Sequence, residues 1–148
     1  MKKTSFALAG LVALGAAFSA SADQFEDAIQ YRKAAFTLIK ANFGPMGAMA
    51  EGKMPFDKAA FAARAANLEA LAKMPWEHFI EGSDMGDTKS KPEVWSKAKD
   101  YKAEVDKFEA AATKLAAVAK SGDEKAMKAQ FGATAKTCKS CHGDFKNK

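Results

Sequence analysis

The chain has 148 residues, 48% of them hydrophobic and 28% charged, with a formal net charge of +5 and only two cysteines and two histidines. That length suits one domain. The small, interspersed charge excess gives no case for nucleic acid or membrane binding, and so few soft ligands leave a structural zinc site short of donors.

The first 22 residues, "MKKTSFALAGLVALGAAFSASA", read as a secretory leader rather than as part of a fold. Two lysines precede an apolar run from Phe6 to Phe18, and small residues end at Ala20-Ser21-Ala22. The run falls short of the about 20 residues that span a bilayer, so cleavage after Ala22 is expected in place of a membrane anchor. The mature domain is then 23–148, with 126 residues and a net charge of +3.

Four amphipathic helices follow in chain order. The first carries Phe25, Ile29, Phe36, Ile39 and Phe43 at alternating steps of three and four, with Arg32 inside the same series. Gly44, Pro45, Gly47 and Gly52 are expected to bend or end it. The second carries Phe61, Ala65, Leu68 and Ala72 after Asp57 as N-cap, and stops at Pro75. The longest connection runs from Trp76 to Lys89. A third helix carries Val94, Ala98, Tyr101, Val105, Phe108, Ala112, Leu115 and Ala119. Ser90 and Glu93 make a predicted capping box before it, and Gly122 marks its end. The fourth starts after Asp123 and carries Met127, Phe131, Thr134, Cys138, Cys141 and Phe145. No segment of the mature chain sustains period-two alternation. The expectation is an all-α, antiparallel four-helix bundle.

Both cysteines fall in "CKSCH", with His142 directly after Cys141. Cysteines three apart on a helix are poorly placed for an unstrained disulfide, and that reading leaves His142 without a purpose. A thioredoxin-like pair belongs near a strand and a helix N-terminus, not late in a helix of an all-α chain. C-x-x-C-H is instead the attachment signature of c-type haem. Cys138 and Cys141 can add across the haem vinyl groups, and His142, four residues after Cys138, can reach the iron as its proximal axial ligand. Export agrees with this, since such haem is attached outside the cytoplasm in bacteria.

With this motif in its last helix, the mature chain resembles cytochrome c′, the class II c-type cytochromes. The likeness extends through "YRKAAFTLIKANFG", "MPFDKAAF", "MPWEHF" and "KPEVW". The resemblance implies a periplasmic four-helix bundle with one covalent haem c, a homodimer formed through the first two helices, and five-coordinate high-spin iron. It also implies binding of nitric oxide and carbon monoxide, with exchange of electrons with unknown redox partner proteins beside it or in its place. The distal stripe carries no evident acid–base histidine, so no enzyme activity is expected, and the scattered charge leaves no membrane or nucleic-acid partner expected once the leader is cleaved.

The resemblance also assigns positions. Phe36, four residues after Arg32, takes the distal place over the iron, where low-spin relatives of the cytochrome c556 kind carry methionine. A phenyl ring cannot ligate iron, so the open position is the leading reading and a low-spin electron carrier without exogenous ligand is the alternative. Arg32 is costly as an unpaired charge in an apolar series. By residue type alone, it either escapes to solvent or takes a carboxylate partner, and the resemblance implies a haem propionate. Lys33 and Asp87 are carried over as contacts at the haem edge. Lys146 stands where many relatives have arginine near the proximal histidine. Phe79 and Phe145 are expected to pack on the haem, and His78 is read as a loop histidine, not a ligand.

Overall fold

The computed structural model describes the backbone of residues 12–148 and side-chain surroundings from Asp23 onward. The first eleven residues of the expected leader lie outside the described residues. Five helices follow in order: α1 (Val12–Ala50), α2 (Lys58–Leu71), α3 (Glu93–Ser96), α4 (Ala98–Lys120) and α5 (Glu124–Phe145), with one tight 3-10 turn at Trp76–His78. Among the described residues there is no strand, only an isolated antiparallel bridge between Ser90 and Lys146. Nor is any helix among them long and apolar enough to cross a membrane.

The four long helices form the expected antiparallel bundle. Short turns fold α2 back on α1 and α5 back on α4, and α1 closes the ring against α5. The expected Asp57 cap forms, and Asp123 caps the last helix in the same way. The carboxylates of Asp57 and Asp123 accept from the backbone N–H of Ala60 at 3.0 Å and of Ala126 at 3.1 Å, satisfying one orphan donor at each helix start.

The first helix differs from expectation at its C-terminal end. It runs unbroken through Gly44, Pro45 and Gly47 and stops only after Ala50. Pro45 has no N–H for the Ala41 carbonyl, and an interior proline usually costs a helix that bond. Here Arg64 of α2 donates to the Ala41 oxygen at 3.2 Å, so a neighbouring side chain replaces the missing amide. The stop belongs to Gly52, whose φ of +73° reverses the chain. Lys53 N–H then reaches Ala48 O at 2.8 Å and Gly52 N–H reaches Met49 O at 3.2 Å, which completes a Schellman cap.

The third predicted helix also needs correction, because it is two helices. Lys97 leaves the helical region with φ −120° and ψ 43°, separating α3 from α4. The capping box is absent: Pro92 precedes Glu93 with no side-chain cap. Ser90 instead lies beside Lys146, flanked by Lys91 N–H to Phe145 O at 3.0 Å and Asn147 N–H to Lys89 O at 2.8 Å. That backbone pairing fixes the chain after α5, and it competes directly with the box for Ser90.

The main hydrophobic core, part aliphatic and part aromatic, fills one end of the bundle. Met46, Phe61, Ala65, Leu68, Ala112, Leu115 and Met127 have essentially no exposure there, and Phe43 stacks on Phe131 with ring centroids 4.4 Å apart. Burying each large side chain contributes about 1.5–3 kcal/mol. The other end is built from aromatic and polar residues and holds Cys138, Cys141 and His142.

Arg64→Ala should lower stability by about 0.5–1.5 kcal/mol in chemical denaturation. In a Pro45→Ala background the same change should cost less, because an alanine N–H can take the Ala41 carbonyl. Equal losses in the two backgrounds would show that Arg64 does not act through that oxygen.

Candidate functional site

The motif residues sit on the last turns of α5. Cys138 and Cys141 are half-buried, free thiols, and Cys138 Sγ lies 3.7 Å from the Thr134 carbonyl. Burial raises the Cys138 pKa. Cys141 is pushed up to about 11, chiefly by burial and then by the Glu104 carboxylate on α4. Both therefore stay protonated near neutral pH, the form in which S–H adds across a carbon–carbon double bond without a leaving group. His142 stands at the solvent edge of the same helix. Partial burial, with Lys146 near it, lowers its pKa and favours the neutral imidazole that a metal requires.

Opposite α5, α4 presents Tyr101 and Glu104 one turn apart. Tyr101 lies edge-on to Phe145 at 5.2 Å, tilted against Phe79 at 5.4 Å and edge-on to Trp76 at 6.2 Å. Phe36 on α1 is half-buried and faces Trp76 edge-on at 5.7 Å and Phe79 at 6.4 Å. Phe36, Phe79 and Phe145, three of the expected site residues, thus converge on one aromatic slot with Trp76 and Tyr101. The indoles fix its walls through their N–H groups, Trp76 to the Ala72 carbonyl at 2.6 Å and Trp95 to the Phe79 carbonyl at 2.9 Å.

Arg32 is 2% exposed, so the structure rejects escape to solvent. Its Nη1 donates to His78 O at 3.1 Å and Ser83 Oγ at 2.6 Å; its Nη2 donates to Ser83 O at 2.5 Å and Thr88 Oγ1 at 2.9 Å. The guanidinium carbon also lies 4.7 Å from the Phe79 ring centroid. Every one of these acceptors is neutral, so they satisfy the hydrogen bonds without an ion pair; the Asp84 carboxylate acts on the charge only through space. Gly82, at φ +86°, lets the loop approach: a Cβ there would come within 3.2 Å of Phe25.

Lys33 and Asp87 are brought together as an exposed ion pair, and the lysine lowers the pKa of the carboxyl by hydrogen bonding to it. Lys146 stands beside His142, on backbone held by the Ser90 bridge. His78 lies on the 3-10 turn, stacked on Tyr31 with ring centroids 3.6 Å apart, away from the cysteine pair. Sequence reasoning named Tyr101 only as a stripe residue and passed over Glu104, although its step of three from Tyr101 and four to Phe108 puts it on the same inner face. Ser83 and Thr88 had no periodic signal, because they lie in a loop.

The residues present fit a haem. Two thiols and an imidazole could supply an attachment and ligation set, and planar aromatic side chains could supply the walls. Among the described residues, the two buried polar side-chain atoms without a partner are Tyr101 Oη and Glu104 Oε2, both at this slot. Buried groups left unpaired in this way are uncommon and costly; an acceptor on the edge of a prosthetic group would partner the Tyr101 hydroxyl, whereas the Glu104 carboxylate is itself an acceptor and is held by Lys107.

A helical bundle whose last helix offers this set defines a haem-attaching bundle cytochrome. The comparisons agree. A family model described as cytochrome c′ matches residues 27–146. Cytochrome c′ of Rubrivivax gelatinosus is 49% identical over 123 residues, covering 82% of this chain and 95% of that protein. The structure of cytochrome c′ from Shewanella frigidimarina superposes with a TM-score of 0.82 at 48% identity, covering 84% and 97% of the two chains. That of a leucine-to-alanine variant from Alcaligenes xylosoxidans, solved as a nitric oxide complex, has a TM-score of 0.78 at 36% identity, covering 84% and 96%. This chain belongs to the cytochrome c′ family, and its cofactor is a covalently attached c-type haem with iron.

Arg32→Leu should destabilise the protein by about 2–4 kcal/mol, since it strips donors from several buried loop acceptors at once. Hydrogen exchange should rise across residues 79–89. Lys33→Ala should leave the melting temperature unchanged, because exposed pairs contribute little.

Proposed function

We propose that this chain is an exported, periplasmic haem protein whose iron keeps an open sixth position and binds nitric oxide and carbon monoxide. Cys138 and Cys141 carry the haem, His142 is the proximal ligand, and residues 1–22 are a leader removed at Ala22. The reading treats the protein as a gas-binding or electron-exchanging protein and not as an enzyme.

The observation that carries it is Phe36. Its half-buried ring, one helical turn after Arg32, faces Trp76 and Phe79 in the slot. A phenyl ring has no lone pair for iron, so the low-spin, methionine-ligated carrier lacks its ligand at this position. The ring also offers no hydrogen bond. That disfavours bound oxygen, which needs one, more than nitric oxide or carbon monoxide. The relative from Alcaligenes xylosoxidans solved with nitric oxide supports the same reading.

Two further assignments rest on this site. Arg32 holds a propionate through the charge its loop acceptors leave uncompensated, with its Nε–H as the donor not used by the loop. Lys33, Asp87 and Lys146 lie at the haem edge. For assembly, Tyr31 and Leu38, seven residues apart on the outer face of α1, are exposed apolar side chains that support a homodimer through α1 and α2.

The ferric protein should show a high-spin absorption spectrum, and the reduced protein should change on adding carbon monoxide. Phe36→Met should shift the population toward a low-spin, six-coordinate form. Phe36→Ala should speed carbon monoxide binding without changing the resting ligation. A low-spin spectrum that ignores carbon monoxide would leave the electron carrier in place of the gas binder.

Intact-mass measurement should find a chain beginning at Asp23 with one haem mass added. Acidified organic solvent should not extract the haem unless both cysteines are replaced.

A further inference from the structure

Tyr101 Oη is buried and has no hydrogen-bond partner. Its ring is clamped by Phe79, Phe145 and Trp76, so the hydroxyl cannot swing out to water without breaking three aromatic contacts. A buried hydroxyl left unsatisfied in this way is destabilising, because its lost hydration is not replaced. Burial pushes its pKa well up, so the group stays protonated and is available as a donor.

The hydroxyl senses two groups electrostatically. One is the Cys141 thiol of α5 and the other is the Arg32 guanidinium of α1. Arg32 has its own deficit: it is buried, and its hydrogen bonds go only to neutral oxygens. Among the described residues no carboxylate lies within ion-pair distance of it. An unpartnered donor and a cation with no carboxylate in contact therefore meet at the Phe79 ring, from different helices. One anionic acceptor entering that slot would answer both.

We propose that Tyr101 donates a hydrogen bond to a haem propionate, sharing with Arg32 the charge that the cofactor brings into the bundle. This rests on the haem reading above and adds to it a positioning residue from α4. The propionates are the only strong acceptors on the macrocycle itself; the other acceptor a haem can present is whatever the iron binds. The propionate is favoured because the Tyr101 ring and the Arg32 guanidinium pack against the same Phe79 ring, 5.4 Å and 4.7 Å from its centroid, so one carboxylate can lie between them.

The test is Tyr101→Phe in the full-length haem-loaded protein, a change that deletes one oxygen and keeps the ring. Haem content should match the unsubstituted protein. The propionate bending bands in the resonance Raman spectrum should move. The midpoint potential should fall, because a propionate without its donor directs more negative charge at the iron and favours the ferric form. The C–O stretch of the carbon monoxide complex should stay in place. Unchanged propionate bands together with an unchanged potential would overturn the proposal. A shift confined to the C–O stretch would overturn it too, moving the hydroxyl from the propionate to the iron's ligand. Haem that is extractable from the unsubstituted protein would instead sink the attachment reading, so the two failures are distinct.

Discussion

The functional end of this bundle depends on burying one positive charge. Arg32 lies on the inward face of α1, where water cannot solvate it, and the chain between α2 and α3 folds around the guanidinium to supply oxygens. Ser83 passes its own proton to Ile80 O at 2.7 Å, and Thr88 Oγ1 continues to Ser90 Oγ at 3.1 Å. Ser90 is in turn bridged to Lys146, just beyond the haem-attaching helix. One polar seam therefore runs from the turn before Phe36 to the residue four after His142. The two faces expected to flank the iron are tied through it, although they belong to opposite ends of the sequence.

The bundle divides its labour along its length. At one end, methionine, leucine and alanine side chains pack with the rings of Phe43, Phe56, Phe61 and Phe131. At the other, Phe36, Trp76, Phe79, Tyr101 and Phe145 meet through ring edges and faces. Rings of this kind make flat, stiff walls with few accessible conformers. Such walls suit a planar cofactor better than a close-packed aliphatic interior, which would have to open to admit one. The price is a slot that holds polar atoms without partners.

Electrostatics around the cysteine pair point the same way. Burial and the neighbouring Glu104 carboxylate disfavour the thiolates, so these are not the reactive, low-pKa cysteines of a redox exchange site. Glu104 itself stays low in pKa because Lys107 hydrogen bonds to it, against the cost of its burial. A negative charge is thus held one turn from Tyr101, beside the attachment helix.

The sequence by itself determined the helices, their inward faces and the attachment motif. Spacings of three and four state which residues share a face, and C-x-x-C-H is a local arrangement that needs no tertiary partner to recognise. The Asp57 cap was legible for the same reason, since it lies three residues from the amide it serves. Only the tertiary structure decided what depended on distant segments. Pro45 reads as a helix end until Arg64, from another helix, takes the carbonyl it orphans. Ser90 reads as a cap until the chain after α5 pairs beside it. Arg32 could have reached solvent by residue type alone, and only the loop's position, set by Gly82 against Phe25, shows it enclosed. Tyr101 followed the periodic stripe, yet its hydroxyl's lack of a partner is a property of the packed bundle. Hydrogen-bond satisfaction is a sum over everything within about 3 Å, and sequence neighbours supply only part of that sum.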